Sequence, residues 1–283
     1  MSSEAGGSWS LPETFLFEGQ AVRFGRLGQD GRPPLVLVHG TPFSSVVWRR
    51  IAPHLTEHRQ VFYYDLLGYG RSEMRSHQDV SLAVQGRLFA ALLRHWRLSK
   101  PDVVAHDFGG STALRAHLLH GCEYGSLTLI DPVALAPWGS PFVRHVREHE
   151  AAFAGLPAYI HTAILPPYLE GAAFRPLPAA TLQLYVDPWL GEGGQAAFYR
   201  QIAQMDQRYT DEIESRYGEM RCPVRIIWGE QDAWIPVERG RELTRRITGS
   251  TLRIVPDAGH LVQEDAPEAV VAALLGDLAR KTS

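Results

Sequence analysis

Short apolar runs punctuate the first half of the chain at regular intervals. Leu35-Val36-Leu37-Val38, Val61-Phe62-Tyr63-Tyr64, Asp102-Val103-Val104-Ala105 and Leu127-Thr128-Leu129-Ile130 are unbroken or nearly so. Continuous runs of this kind predict strands covered on both faces rather than strands with one wet face. Between them the apolar residues fall three and four apart. Val46 to Leu55 is expected as a helix, residues 81–97 as a longer one, and Gly110 to His120 as a third. In 81–97 the apolar stripe is Leu82, Leu88, Leu92 and Trp96.

The rhythm fails from Val133 to Tyr217. Pro166-Pro167, Pro176-Leu177-Pro178 and Gly191-Glu192-Gly193-Gly194 interrupt this stretch, and no strand–helix alternation survives in it. Alternation resumes with a strand at Val224–Trp228, a helix from Val237, a strand at Leu252–Val255 and a closing helix from Pro267 to Arg280. The predicted class is α/β, with a mostly parallel, doubly wound sheet. Residues 1–132 and 218–283 are expected to form the core. Residues 133–217 are expected as an inserted cap after a strand's carboxyl end, where ligands bind in such sheets.

Composition narrows the function classes. The 283 residues carry a net charge of −3 and no Lys/Arg run, so neither nucleic acid nor an anionic membrane surface is an expected partner. No apolar run approaches the length of a membrane span. The first residues, Met1 to Ser8, lack a secretory pattern and read as a polar tail. Two cysteines, Cys122 and Cys222, do not make a disulfide framework. A cytoplasmic location is expected. The histidines do not cluster at ligand spacings, and no metal or organic cofactor is expected. The expected partners are a small apolar organic substrate and water; the sequence sets no oligomeric state.

The chemistry centres on Ala105-His106-Asp107-Phe108-Gly109, a small-x-nucleophile-x-small pattern between a strand and a helix. Where most enzymes built this way carry Ser, this chain carries Asp107. A carboxylate needs no base to attack an electrophilic carbon, and it becomes an ester in doing so. Three more elements follow strands: His39-Gly40-Thr41-Pro42, Gly229-Glu230-Gln231-Asp232 and Ala258-Gly259-His260. The order nucleophile, acid, histidine places all three on one sheet edge. His39 and His106, with Gly40 and Pro42, are read as structural residues near the site.

With these motifs, and with Asp65-Leu-Leu-Gly-Tyr-Gly-Arg-Ser72, Ile235-Pro236 and Glu264 to Pro267, the chain resembles the α/β-hydrolase superfamily over residues 16–280. The aspartate at the elbow is similar to the epoxide hydrolase and haloalkane dehalogenase branch. The resemblance implies an Asp107–His260–Asp232 triad beneath a helical cap. Asp107 is then the nucleophile, His260 the base on a water, and Asp232 the acid that orients the imidazole. The backbone N–H groups of Thr41 and Phe108 are the expected oxyanion donors.

The leaving group separates the two branches. The dehalogenase pattern places Trp after the nucleophile, with Asn after His-Gly or a second Trp in the cap. Here Phe108 and Thr41 stand there, and Phe has no N–H. Trp138 and Trp189 are the remaining indole candidates. Fluoroacetate dehalogenases carry Arg where this chain has Phe108 and Ser111. An epoxide needs hydroxyl donors instead. Ala197-Phe198-Tyr199-Arg200 is similar to a segment that carries a ring-opening tyrosine in epoxide hydrolases, and Tyr168 is a second candidate. Epoxide hydrolases also carry Trp after the nucleophile, so Phe108 departs from both patterns. The expected function is epoxide hydrolysis through an aspartyl ester. Hydrolytic dehalogenation, water activation on an ester or lactone, and a non-catalytic ligand-binding homologue are the alternatives.

Overall fold

The structure, a computed structural model, describes residues 9–75 and 77–281, and side chains as far as residue 276. The polar tail read at residues 1–8 lies outside the described residues. Eight strands form one sheet: β1 (Glu13–Phe17), β2 (Gln20–Leu27), β3 (Pro34–Val38), β4 (Gln60–Tyr64), β5 (Asp102–His106), β6 (Ser126–Ile130), β7 (Val224–Gly229) and β8 (Thr251–Val255). Their spatial order is β1-β2-β4-β3-β5-β6-β7-β8. From β4 onward every pairing is parallel, while β1 and β2 are antiparallel.

The parallel strands are the apolar runs of the sequence. Val36, Leu37 and Val38 are fully enclosed, as are Ala105 and Ile130. The hairpin of β1 and β2 is absent from the sequence-based reading. Its strands are only half covered, with Leu16 at 67% exposure, so no continuous apolar run marks them. Its turn is Glu18-Gly19, both at positive φ, which suits the twist of a tight hairpin.

Two helices pack together beside the sheet, α1 (Leu82–His95) and α2 (Phe108–His120). The stretch 46–55 is two short 3₁₀ turns, Ser45–Trp48 and Ala52–Leu55, rather than one helix. Pro53 lies at the start of the second, and it cannot donate the bond a continuous helix would need there.

Between β6 and β7 the chain is helical, not irregular: α3 (Pro141–Glu148), α4 (Glu150–Ala154), α5 (Ala158–Glu170), α6 (Ala179–Val186), α7 (Gly191–Ala203) and α8 (Arg208–Glu214). Three of its prolines open helices instead of ending them. Pro141 opens α3 behind Ser140, whose hydroxyl accepts from the Val143 amide at 3.2 Å, and Pro157 and Pro178 directly precede α5 and α6. Pro166 and Pro167 lie inside α5. After β7 come α9 (Glu238–Arg246), α10 (Val262–Asp265) and α11 (Pro267–Lys281). Both cysteines are free and half-buried. Among the described residues no helix is long and apolar enough to cross a membrane.

Candidate active site

Parallel pairing aligns the strand ends. Val38 lies beside Ala105, and His106 beside Ile130. The residues just past these ends, among them Gly40 and Asp107, therefore meet at one edge. Asp107 holds φ 51° and ψ −118°, a sharp reversal from β5 into α2. Its carbonyl accepts from Gly110, Ser111 and Val133 amides at 2.9, 3.4 and 3.3 Å, which pins the reversal. Gly109 permits the close approach of α2 to β3: a Cβ there would stand 2.5 Å from the Val38 and His39 carbonyl oxygens. Gly40 is needed similarly, since its Cβ would meet Asp107 Oδ1 at 2.5 Å.

The structure brings Asp107, His260 and Asp232 together. Asp107 Oδ1 accepts from the Thr41 amide at 2.7 Å, while Oδ2 lies 3.3 Å from His260 Nε2. On the other side of the ring, His260 Nδ1 donates to Asp232 Oδ2 at 2.8 Å. Asp232 Oδ1 is occupied by the Trp234 and Ile235 amides at 2.8 and 2.9 Å. Asp107, Asp232 and His260 are all buried. Burial alone would lower the His260 pKa; the charges of Asp232 and Asp107 and the bonds to them outweigh it and hold the imidazole well above its ordinary value.

His39 and His106 brace the edge. His39 Nδ1 donates to the Gly40 carbonyl at 2.9 Å, and Nε2 accepts from the Leu66 amide at 2.8 Å. Burial lowers the His39 pKa. His106 Nε2 donates to the His260 carbonyl at 2.9 Å. Burial and the neighbouring His260 push His106 down to about 3, so that ring is neutral. The Thr41–Pro42 peptide is cis. The Thr41 hydroxyl turns away from Asp107 to Gln201 on α7, at 2.6 Å.

A cavity of about 340 Å³ opens onto Asp107. Phe108, Val133, Trp138, Val143, Met205 and Trp234 make most of its apolar wall, and Tyr168 also lines it. The four expected leaving-group residues separate here. Tyr168 faces the cavity; enclosure raises its pKa, and the charge of Asp107 adds to that. Tyr199 is fully enclosed elsewhere, its hydroxyl 3.0 Å from His161 Nδ1. Trp138 lines the cavity with its indole N–H donated to the Thr210 hydroxyl at 2.9 Å. Trp189 donates to the Pro42 carbonyl at 2.9 Å and is not in the wall.

Two site residues are missing from the sequence-based reading. Trp234 lies over His260 with ring centroids 5.1 Å apart. Its place two residues after Asp232 was the available signal. Asp131, directly after β6, is fully buried in the same cluster, and a residue following a strand end was again the available signal. Two groups of described side chains are close enough to hold a metal ion: exposed His145, Glu148 and His149, and buried Asp131, Asp232 and His260. In the second group His260 already serves Asp232 and faces Asp107.

The fold and this edge belong to a known class. The model of the alpha/beta hydrolase family matches residues 35–273, and the chain belongs to that family. A crystal structure of an alpha/beta hydrolase fold protein from Burkholderia ambifaria is similar over 95% of this chain and 98% of that one, with 58% identity and a TM-score of 0.92. Haloalkane dehalogenase 2 of Mycobacterium tuberculosis is 25% identical over 93% of this chain and 94% of its own length. The dihydrolipoyllysine-residue acetyltransferase component of the acetoin cleaving system of Pseudomonas putida is 28% identical, over 94% of this chain and 69% of its own. Relatives named as hydrolases and dehalogenases support an enzyme with hydrolase activity.

Proposed function

We propose that the protein opens an epoxide to a diol through an ester on Asp107. The observation that carries this reading is the divided environment of the Asp107 carboxylate. Oδ1 is held by the Thr41 amide, and Oδ2 is left toward His260 and the cavity. Oδ2 attacks a ring carbon, the carbon–oxygen bond breaks, and the departing oxygen takes the proton of Tyr168. The raised pKa of Tyr168 keeps that proton in place until the alkoxide forms. Oδ1 is then the ester carbonyl oxygen, already in contact with an amide. His260 Nε2 removes a proton from water, and the hydroxide adds to that carbonyl. The charge on Oδ1 is stabilised by Thr41 N–H, with the Phe108 N–H at the start of α2 as the second donor. The imidazole has by then passed its resting proton through solvent to the Tyr168 phenolate; collapse hands the new Asp107 carboxyl proton to the departing alkoxide, releases the diol and leaves His260 as the imidazolium of the resting site.

Tyr168 replaces Tyr199 as the proton donor, because the Tyr199 hydroxyl is committed to His161 outside the cavity wall. Residues 133–217 act as the cap that supplies it. A halide is second choice. The 25% identical dehalogenase favours it, but the Trp138 and Trp189 N–H groups are occupied. The Trp234 Nε1 lies against Gly171, 3.5 Å from where a Cβ there would stand.

One turnover in ¹⁸O-labelled water tests the mechanism. Label should appear in the peptide that holds Asp107, and an active substrate that leaves no label there excludes the ester. Epoxides and haloalkanes assayed side by side, for diol and for halide, decide the substrate. Tyr168→Phe should lower epoxide turnover by about a hundredfold, the scale of a lost general acid; undiminished ring opening would remove Tyr168 from its role.

A further inference from the structure

Asp131 takes no part in the cycle above, yet it lies inside the same cluster. It stands at φ 42°, fully buried, and its Oδ1 accepts from the Gly229 amide at 2.9 Å. Its Oδ2 is buried and meets no donor among the described residues. One side-chain atom each of Asp131, Asp232 and His260 lies within 4.8 Å of the others. Asp232 has both oxygens engaged, one by two amides and the other by His260. The cluster thus holds three carboxyl groups, Asp107, Asp131 and Asp232, around one imidazole. His106, the other ring within reach, is neutral. No Lys or Arg among the described residues pairs with any of the three carboxyls.

Full ionisation would leave two buried carboxylates facing each other with only one cation to share. Close carboxyl pairs avoid this by keeping a proton. We propose that Asp131 is a neutral carboxylic acid that donates a hydrogen bond from Oδ2 to Asp232, and so positions that carboxylate against His260 Nδ1. Burial and then the charge of Asp232 act in this direction, raising Asp131 well above the usual carboxylate range. The groups that face it are Asp232 from the loop after β7, the Gly229 amide, and His260 after β8, with Asp107 beyond the imidazole. The protonation state does not depend on the hydrolase reading; its consequence for turnover rests on that reading.

The test compares the full chain with Asp131→Asn and Asp131→Gly. Asn keeps the acceptor for Gly229 and donates an N–H to Asp232. Gly suits the positive φ and removes the side chain. At neutral pH the infrared spectrum of the native protein should show a protonated-carboxyl stretch that Asp131→Asn lacks. Absence of that band, or its persistence in Asp131→Asn, overturns the assignment whether or not any substrate has been found. With a substrate, Asp131→Gly should lower kcat on the order of tenfold with little change in KM, as for loss of a charge-assisted bond, and Asp131→Asn should recover most of it. The acid limb of the kcat profile should stay in place in Asp131→Asn, since no charge is removed. A limb moved to lower pH would mean that an ionised Asp131 had been supporting the imidazolium, and would overturn the proposal. A Gly variant with native kcat would remove the positioning role.

Discussion

His260 changes its electrostatic setting during the proposed cycle. In the resting site, burial lowers its pKa, while Asp232, Asp107 and their hydrogen bonds raise it further than burial lowers it. The imidazole is held as a cation between two carboxylates. Ester formation neutralises Asp107 and removes one of those supports, so the imidazole pKa falls at the step where a base is needed. The sign follows. Ester hydrolysis requires neutral His260 and slows as pH drops through the pKa of the ester form, whereas ester formation tolerates the cation. Rapid-quench measurements should show a larger burst of Asp107 ester on the acid side of the limb, with an unchanged rate of formation. If both steps slow together there, the division of labour between Asp107 and His260 is wrong. Asp107 and His260 are legible in sequence because elbow and loop motifs mark them. Asp131 is not, because an aspartate after a strand looks the same whether or not another carboxyl faces it.

Among the elements, the short helix α10 does more than its four residues suggest. It follows His260 directly and binds the insertion to the core. Asp265 accepts from the amides of Phe174, Arg175 and Gly259 at 2.8, 3.1 and 2.9 Å. Glu264 receives Arg49 from the core side and the Tyr185 hydroxyl from α6. The loop that carries His260 is thereby tied to the insertion's own backbone, and the Leu261 amide also reaches the Ala172 carbonyl at 2.9 Å. Asp265→Ala would leave the buried Gly259 amide without its acceptor and free the other two. It should cost about 2–3 kcal/mol in urea unfolding, and turnover should fall because the His260 loop loosens. A stability within experimental error of the native chain would show that α10 does not fasten the insertion. The elements of the insertion are where the residue pattern failed, and only the family resemblance implied helices there. Helices α3 to α8 are short, and residues read as punctuation between loops belong to them: Pro178 and Gly191 stand at the entrances to α6 and α7, and Pro166 and Pro167 lie inside α5.

For the whole molecule, the cavity is a joint product of distant segments. Thr41 and Asp107 come from loops after core strands, Trp138, Tyr168 and Met205 from the insertion, and Trp234 from the loop after β7. No Lys or Arg contributes to its wall among the described residues. An anionic substrate would bring an uncompensated charge beside Asp107, at a cost of several kcal/mol. A neutral aryl epoxide should therefore exceed its carboxylated analogue in kcat/KM by at least about a hundredfold. Equal values would require a cationic group to reach the cavity and would refute a neutral-substrate site.

The sequence by itself determined the α/β class, the run of parallel strands from β3 to β8, and the order Asp107, Asp232, His260 at their ends. Each of these follows from local pattern: a continuous apolar run makes a doubly covered strand, and the loop after it falls on the shared edge. Only the tertiary structure decided that Tyr168 and not Tyr199 meets the cavity, that the indoles of Trp138 and Trp189 are already bonded, and that Asp131 joins the cluster. These depend on which side chains converge from segments far apart in the chain. Helical and strand periodicity says which face of an element is buried, and nothing about what waits on the other side.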